Sequence, residues 1–137
     1  MSDYVLLTAR TLAGLLAGVF FAYATSVMPA LRAMDDDTFV TVMNKINVVI
    51  VNPVFLVIFL GAPLAAVAVL AWDRNPWAIA GAVLALVTLL VTAVFNIPLN
   101  NALADGGTRE AFENPWMVWN IVRTLTSTAC VVCLLRV

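Results

Sequence analysis

The segment from Pro53 to Ile97, PVFLVIFLGAPLAAVAVLAWDRNPWAIAGAVLALVTLLVTAVFNI, contains two apolar runs separated only by Asp73-Arg74-Asn75. Each run, 53–72 and 76–97, supplies the roughly 20 mostly apolar residues that a helix needs to cross a hydrocarbon core. So short a polar break leaves room only for a tight turn, and Pro76 suits the first turn of a helix, where its missing N–H costs no hydrogen bond. The segment therefore reads as an antiparallel pair of membrane helices, with Trp72 and Trp77 at the water interface.

Two further runs, 4–27 and 116–137, pass the same test. The prediction is an all-α, integral membrane, up-down four-helix bundle in which one transmembrane domain takes up residues 1–137 and both termini lie on one side. Composition agrees: 64% of the 137 residues are hydrophobic and 11% charged, with a mean hydropathy of +1.03, whereas soluble domains are roughly a quarter charged. A net charge of −1 without a basic tract gives no footprint for nucleic acid. Ala22-Tyr23-Ala24 has the small-residue look of a leader cleavage site. The run before it lacks an N-terminal positive charge and exceeds a usual leader core, so it reads as a retained span. Arg10, Arg74 and Arg136 flank the side of the termini and Arg32, Lys45 and Arg109 the other, so basic residues barely orient the chain. Six of the eight acids lie away from the termini, and the termini are accordingly expected in the cytoplasm.

The connections carry structure of their own. Asp35 is a helix N-cap, and Phe39, Val42, Met43, Ile46, Val49 and Ile50 follow at helical spacing. A short amphipathic helix thus leads into the second span, with a kink or restart at Asn52-Pro53. Between Asn100 and Pro115, Asp105-Gly106-Gly107-Thr108 signals a turn, followed by a short helical piece.

Arg123 is the residue that points to function, because a guanidinium in hydrocarbon costs about 2.5 kcal/mol or far more. It shares one face of the last span with Trp116, Asn120, Ser127 and Cys130. On the third span Thr88, Thr92, Asn96 and Asn100 recur every four residues, and Pro98 makes the helix end irregular near Asn96. The up-down order brings Tyr23, Ser26, Asn44, Asn47, Asn52, Asn96, Asn100, Trp116, Trp119, Asn120 and Arg123 to one side of the bundle. They predict a largely apolar pocket with a few donors and one fixed cation, suited to a flat aromatic or quinone-like ligand or a lipid. The alternative is that the asparagines only hydrogen-bond neighbouring helices and that Arg123 snorkels to the interface. Arg10 reads as a snorkelling residue, and the stripe Gly14, Gly18, Ala22, Ser26 as a helix-packing seam. Cys130-Val-Val-Cys133 admits a redox reading, but it lies mid-helix with no second cysteine pair, so small apolar packing is the alternative. The chain has no histidine, and its acids lack ligand spacing, so neither a metal site nor a metal cofactor is expected.

Taken together, Gly14-Leu-Leu-Ala-Gly18 with Val27-Met-Pro29, Asn52-Pro53, Asn96-Ile-Pro-Leu-Asn100 and Trp116-Met-Val-Trp-Asn120 with Arg123-Thr124 resemble the anthrone-oxygenase-like membrane family, most of whose bacterial members have no assigned function. The resemblance covers nearly the full chain. It implies a small four-helix membrane protein, in fungal members tied to the oxidation of polyketide anthrones to anthraquinones with molecular oxygen and without metal or flavin; the membrane expected for this chain is a bacterial inner membrane. By the same resemblance Arg123 would be the oxyanion stabiliser, Asn96, Asn100 and Asn120 orienting donors, Trp119 a stacking surface and Tyr23 a proton carrier. Trp116, Asn47 and Asn52 complete the expected substrate contacts. The second hypothesis is a non-catalytic protein that binds a lipid or small aromatic, or serves as a partner subunit. A homo-oligomer is compatible with either.

Overall fold

The computed structural model describes residues 2–137. Among them are five helices and no strand: α1 Ser2–Arg32, α2 Asp36–Val49, α3 Pro53–Val69, α4 Pro76–Ala104 and α5 Arg109–Leu134. Each start after α1 is fixed by a capping side chain. Asp35 accepts from the Thr38 N–H at 2.9 Å, Asn52 from Phe55 at 3.0 Å, Asn75 from Trp77 and Ala78 at 2.8 and 2.9 Å, and Thr108 from Ala111 at 3.2 Å. These bonds satisfy amide hydrogens that a helix start leaves unpaired. The bond from the Thr38 N–H, reinforced by the Thr38 hydroxyl, holds the Asp35 carboxyl below its ordinary range.

Helices α1, α4 and α5 are each long and apolar enough to cross a membrane, and α2 with α3 passes the test as a pair bent by 72°. The chain is an integral membrane protein with three to four spans. Helix α1 packs against α3 and α5, and α4 against α3 and α5, so the four long helices close into a ring. The restart expected at Asn52-Pro53 is this bend.

The helices run past several of the bounds set by composition. The helices that hold the spans expected at 4–27 and 76–97 extend to Arg32 and Ala104, because neither Pro29 nor Pro98 ends its helix. A proline ring clashes with the carbonyl four residues earlier. In both helices the turn just before the proline widens to a π-helical one, Tyr23–Val27 and Thr92–Asn96, closed by Met28 N–H to Tyr23 O and by Ile97 N–H to Thr92 O. The irregularity expected near Asn96 is thus a wide turn inside a continuous helix and not a helix end. The last helix starts at Arg109 instead of 116, since Thr108 caps it there and Pro115 is accommodated inside. Helix α3 stops at Val69, short of 72.

Packing differs between the two ends of the bundle. Near the termini Ala9, Ala13, Ala66, Ala78 and Ala85 cluster with Val69, Cys130 and Leu134; such small residues let helices approach closely. At the other end the core is Met28, Leu31, Phe39, Met43, Leu103, Phe112 and Trp116. The helices must stand further apart there. The glycine stripe is no seam within this chain: Gly14 and Gly18 are exposed, and an added Cβ would meet no atom within 4 Å. Arg10 is tied into the protein, its Nε donating to the Leu134 carbonyl at 2.9 Å, so it reaches the terminal end of the bundle and closes the end of α5 there.

Arg109 knots the wide end. Its guanidinium donates to the carbonyls of Arg32 and Met34 at 2.9 and 2.7 Å and to Glu113 at 2.8 Å, and it lies 4.5 Å over the Phe39 ring. The α1–α2 corner is thereby fastened to the start of α5. Arg109→Ala should lower stability by about 1–3 kcal/mol, the range for losing charged hydrogen bonds. Arg32→Ala, which removes a guanidinium 63% exposed, should cost under about 0.5 kcal/mol. Denaturant melts in detergent would check the pair, and equal effects would contradict the assignment.

Candidate functional site

The polar face of α5 is set by helical spacing, and the structure turns it inward. Arg123 is 6% exposed and Asn120 fully buried. One terminal nitrogen, Nη2, donates to Asn120 Oδ1 at 2.9 Å, and Nη1 reaches Thr92 Oγ1 at 3.4 Å. The guanidinium carbon sits 4.3 Å from the Phe20 ring centroid and 5.2 Å from that of Trp116. Cation–π contacts of this kind contribute about 2 kcal/mol when desolvated. Arg123 does not snorkel. Its Nε has no hydrogen-bond partner, and among the described residues the ion pairs join only Arg32 and Arg109 to Glu113 and Asp36. A buried cation is therefore held by neutral groups alone.

Three asparagines and one indole hold this cation in place. Asn120 donates its Nδ2 to the Phe20 carbonyl at 3.2 Å while accepting from Arg123, so it locks α5 to α1 and fixes the guanidinium plane. Asn96, 1% exposed, donates to the Trp116 carbonyl at 3.3 Å. The Trp116 indole N–H donates to Asn100 Oδ1 at 2.8 Å, and its rings lean on Tyr23 and Phe112 at 5.5 and 6.0 Å. Trp116 is thus gripped at backbone and ring by the two asparagines that flank Pro98.

Beside Arg123 lies a cavity of about 240 Å³, close to the lower end of the roughly 300–1,000 Å³ of small-molecule sites. Phe20, Thr92, Trp116 and Arg123 form its inner wall, Phe55 and Phe59 an aromatic side, and Tyr23, Asn47 and Asn100 its remaining polar groups. Its rim is Ile50, Val51, Leu56 and Ile97; the last three are 63%, 39% and 43% exposed. An exposed aliphatic rim on a membrane protein faces lipid more comfortably than water. Such a site can hold a flat apolar molecule and place one of its oxygens beside a fixed positive charge.

Of the residues singled out from sequence, Arg123, Asn100, Trp116, Tyr23 and Asn47 line this cavity. Asn96 and Asn120 stand behind its wall. Trp119 and Asn52 are elsewhere: Trp119 stacks on Phe95 at 3.5 Å between centroids and 7° between planes, and Asn52 caps α3 while donating to Val49 O at 3.1 Å. Ser26 is exposed. Phe20, Phe55 and Phe59 escaped the sequence reading, because a phenylalanine in an apolar span leaves no pattern. Only the placement of Phe20 three residues before Tyr23, on the same face, could have pointed to it.

Compared with known proteins, a family model described as anthrone oxygenase matches residues 39–133, well over half of the chain. No curated protein and no solved structure matches. The matched region contains every cavity residue contributed by α2 to α5 and leaves α1, with Phe20 and Tyr23, outside.

Asn120→Ala should remove the bonds from Arg123 Nη2 and to the Phe20 carbonyl and lower stability by about 1–3 kcal/mol. Asn52→Ala should cost about 1 kcal/mol, as for an ordinary lost cap, and leave Trp116 fluorescence as in the wild type. An Asn120→Ala protein as stable as the parent would show that Asn120 does not secure the guanidinium.

Proposed function

The chain belongs to the anthrone oxygenase family, and from that premise we propose that it oxidises a hydrophobic aromatic substrate of the anthrone or quinol type, drawn from the bilayer, with molecular oxygen. The observation that carries the reading is Arg123: a buried guanidinium with no carboxylate partner and an unpaired Nε, in the wall of an apolar cavity. Such a group stabilises negative charge that develops on a ligand oxygen far better than water-exposed donors do, because the site is already organised and its dielectric is low.

The chemistry suits that arrangement. An anthrone carries a ketone and, across the ring, a methylene between two aromatic rings. Loss of a methylene proton gives an oxyanion, and Arg123 would hold that charge. The anion passes an electron to dioxygen, the two radicals combine at the former methylene carbon, the peroxide anion so formed takes back the proton first lost, and the hydroperoxide loses water to leave a second carbonyl. In sum, one methylene and one dioxygen become one carbonyl and one water. Trp116 and Phe20 position the guanidinium, while Phe55 and Phe59 offer ring surface to the substrate. Tyr23, whose hydroxyl makes no hydrogen bond among the described residues, is placed to pass a proton outward. The aliphatic rim of Val51, Leu56 and Ile97 supports entry from lipid.

One observation favours a second reading, ligand binding without turnover. The cavity's titratable side chains are Tyr23 and Arg123 alone, so no strong base faces the ligand. Oxygen uptake by the purified protein in nanodiscs with anthrone separates the two. The oxygenase reading expects turnover that falls about 10²–10³-fold in Arg123→Ala, the usual loss on removing one oxyanion donor. Arg123→Lys, which keeps the charge without the planar fork, should fall in between. Saturable binding of anthrone with no uptake above empty nanodiscs would establish the binding reading instead.

A further inference from the structure

The asparagines around Arg123 are not equivalent: Asn47 and Asn100 line the cavity with an unpaired NH₂, and of these only Asn100 is also held by the Trp116 indole. An indole N–H can only donate, so the atom of Asn100 that meets Trp116 Nε1 at 2.8 Å has to be its carbonyl oxygen. This fixes the amide orientation. The Asn100 NH₂ then faces away from the indole, on a residue that lines the cavity, and it makes no hydrogen bond among the described residues. Asn96 and Asn120, by contrast, have their NH₂ groups engaged on the carbonyls of Trp116 and Phe20. The Trp116 ring adjoins two of the free donors, with Arg123 over its face and Asn100 at its N–H edge, and the third, the buried and unpaired Asn47 Nδ2, belongs to the same cavity.

We propose that Asn100 is a specificity-determining residue that binds a second ligand oxygen, away from the one held by Arg123. The site therefore selects a flat ligand with two acceptor oxygens at separate ring positions. This rests on the oxygenase reading and deepens it. The oxygen bound at Asn100 is the one the reaction installs, so the amide stabilises it as it becomes a carbonyl. Two donors approaching the ring system from different edges also fix which way round the substrate lies.

The test compares two probes that differ in this oxygen, anthrone with one carbonyl and 9,10-anthraquinone with two. Binding is measured by ligand absorbance on the full chain in nanodiscs, with empty nanodiscs as the blank. Asn100→Leu is expected to weaken anthraquinone binding about tenfold, as for one lost hydrogen bond, and to change anthrone binding less than twofold. Asn96→Ala loosens Trp116 from behind the wall and leaves the indole N–H on Asn100, so it controls for disturbance of the shelf; it should leave the ratio of the two affinities in place. Equal weakening of both probes by Asn100→Leu, or an Asn96→Ala variant that mimics its selective loss of anthraquinone, would overturn the proposal and reduce Asn100 to a support for Trp116. Failure of the wild type to bind either probe would overturn the parent reading, and this one with it.

Discussion

The constraint on which the architecture turns is a positive charge that cannot leave. Arg123 lies near the middle of α5, buried inside the bundle, and no acid among the described residues neutralises it. Its charge is spread instead over an amide oxygen, a hydroxyl and the faces of two aromatic rings. Each is a weak partner singly, and all must be present together, from α1, α4 and α5. That requirement explains why so many of the buried polar contacts converge on one level of the bundle. Removing one partner of a buried ion is costly because the charge remains.

The two π-helical turns serve the same end. On a regular helix, side chains four residues apart drift by about 40° per step at 100° per residue. Thr88, Thr92, Asn96 and Asn100 would wander off one face within three steps. The wide turn at Thr92–Asn96 takes back part of that drift, so Thr88, Thr92 and Asn96 all remain buried and Asn100 still meets Trp116. Wide turns inside helices often accompany functional sites, and here a proline enforces each one. The alanine-rich end near the termini holds the bundle tight, while the aromatic end spreads it, and the cavity lies in the spread half.

The sequence made the bundle legible because bilayer thickness imposes a length on every apolar run, and the charge of Arg123 stood out against that background. The up-down order was enough to bring Asn47, Asn100, Trp116 and Tyr23 to one cavity with it. Where the reading went astray, the cause was local. Pro98 looked like the mark of a helix end, since sequence does not reveal that a turn can widen around it. The family resemblance made Trp119 a stacking surface for substrate, whereas in the structure it lies one position off the inward face and pairs with Phe95. Gly14 and Gly18 looked like a packing seam, yet spacing alone cannot say which side of α1 the neighbours occupy. The division of labour among Asn96, Asn100 and Asn120 depends on which amide atom meets which partner, and no spacing encodes that.

The aliphatic rim of the cavity has a thermodynamic consequence. A ligand that arrives from water gains most of its affinity by shedding hydration from its apolar surface. One that arrives past Val51, Leu56 and Ile97 has already left water for acyl chains, which are as apolar as the walls of Phe55 and Phe59, so that gain is nearly zero. Greasiness then concentrates candidates in the bilayer without choosing among them. Recognition is left to the few polar groups inside, which act without competition from solvent.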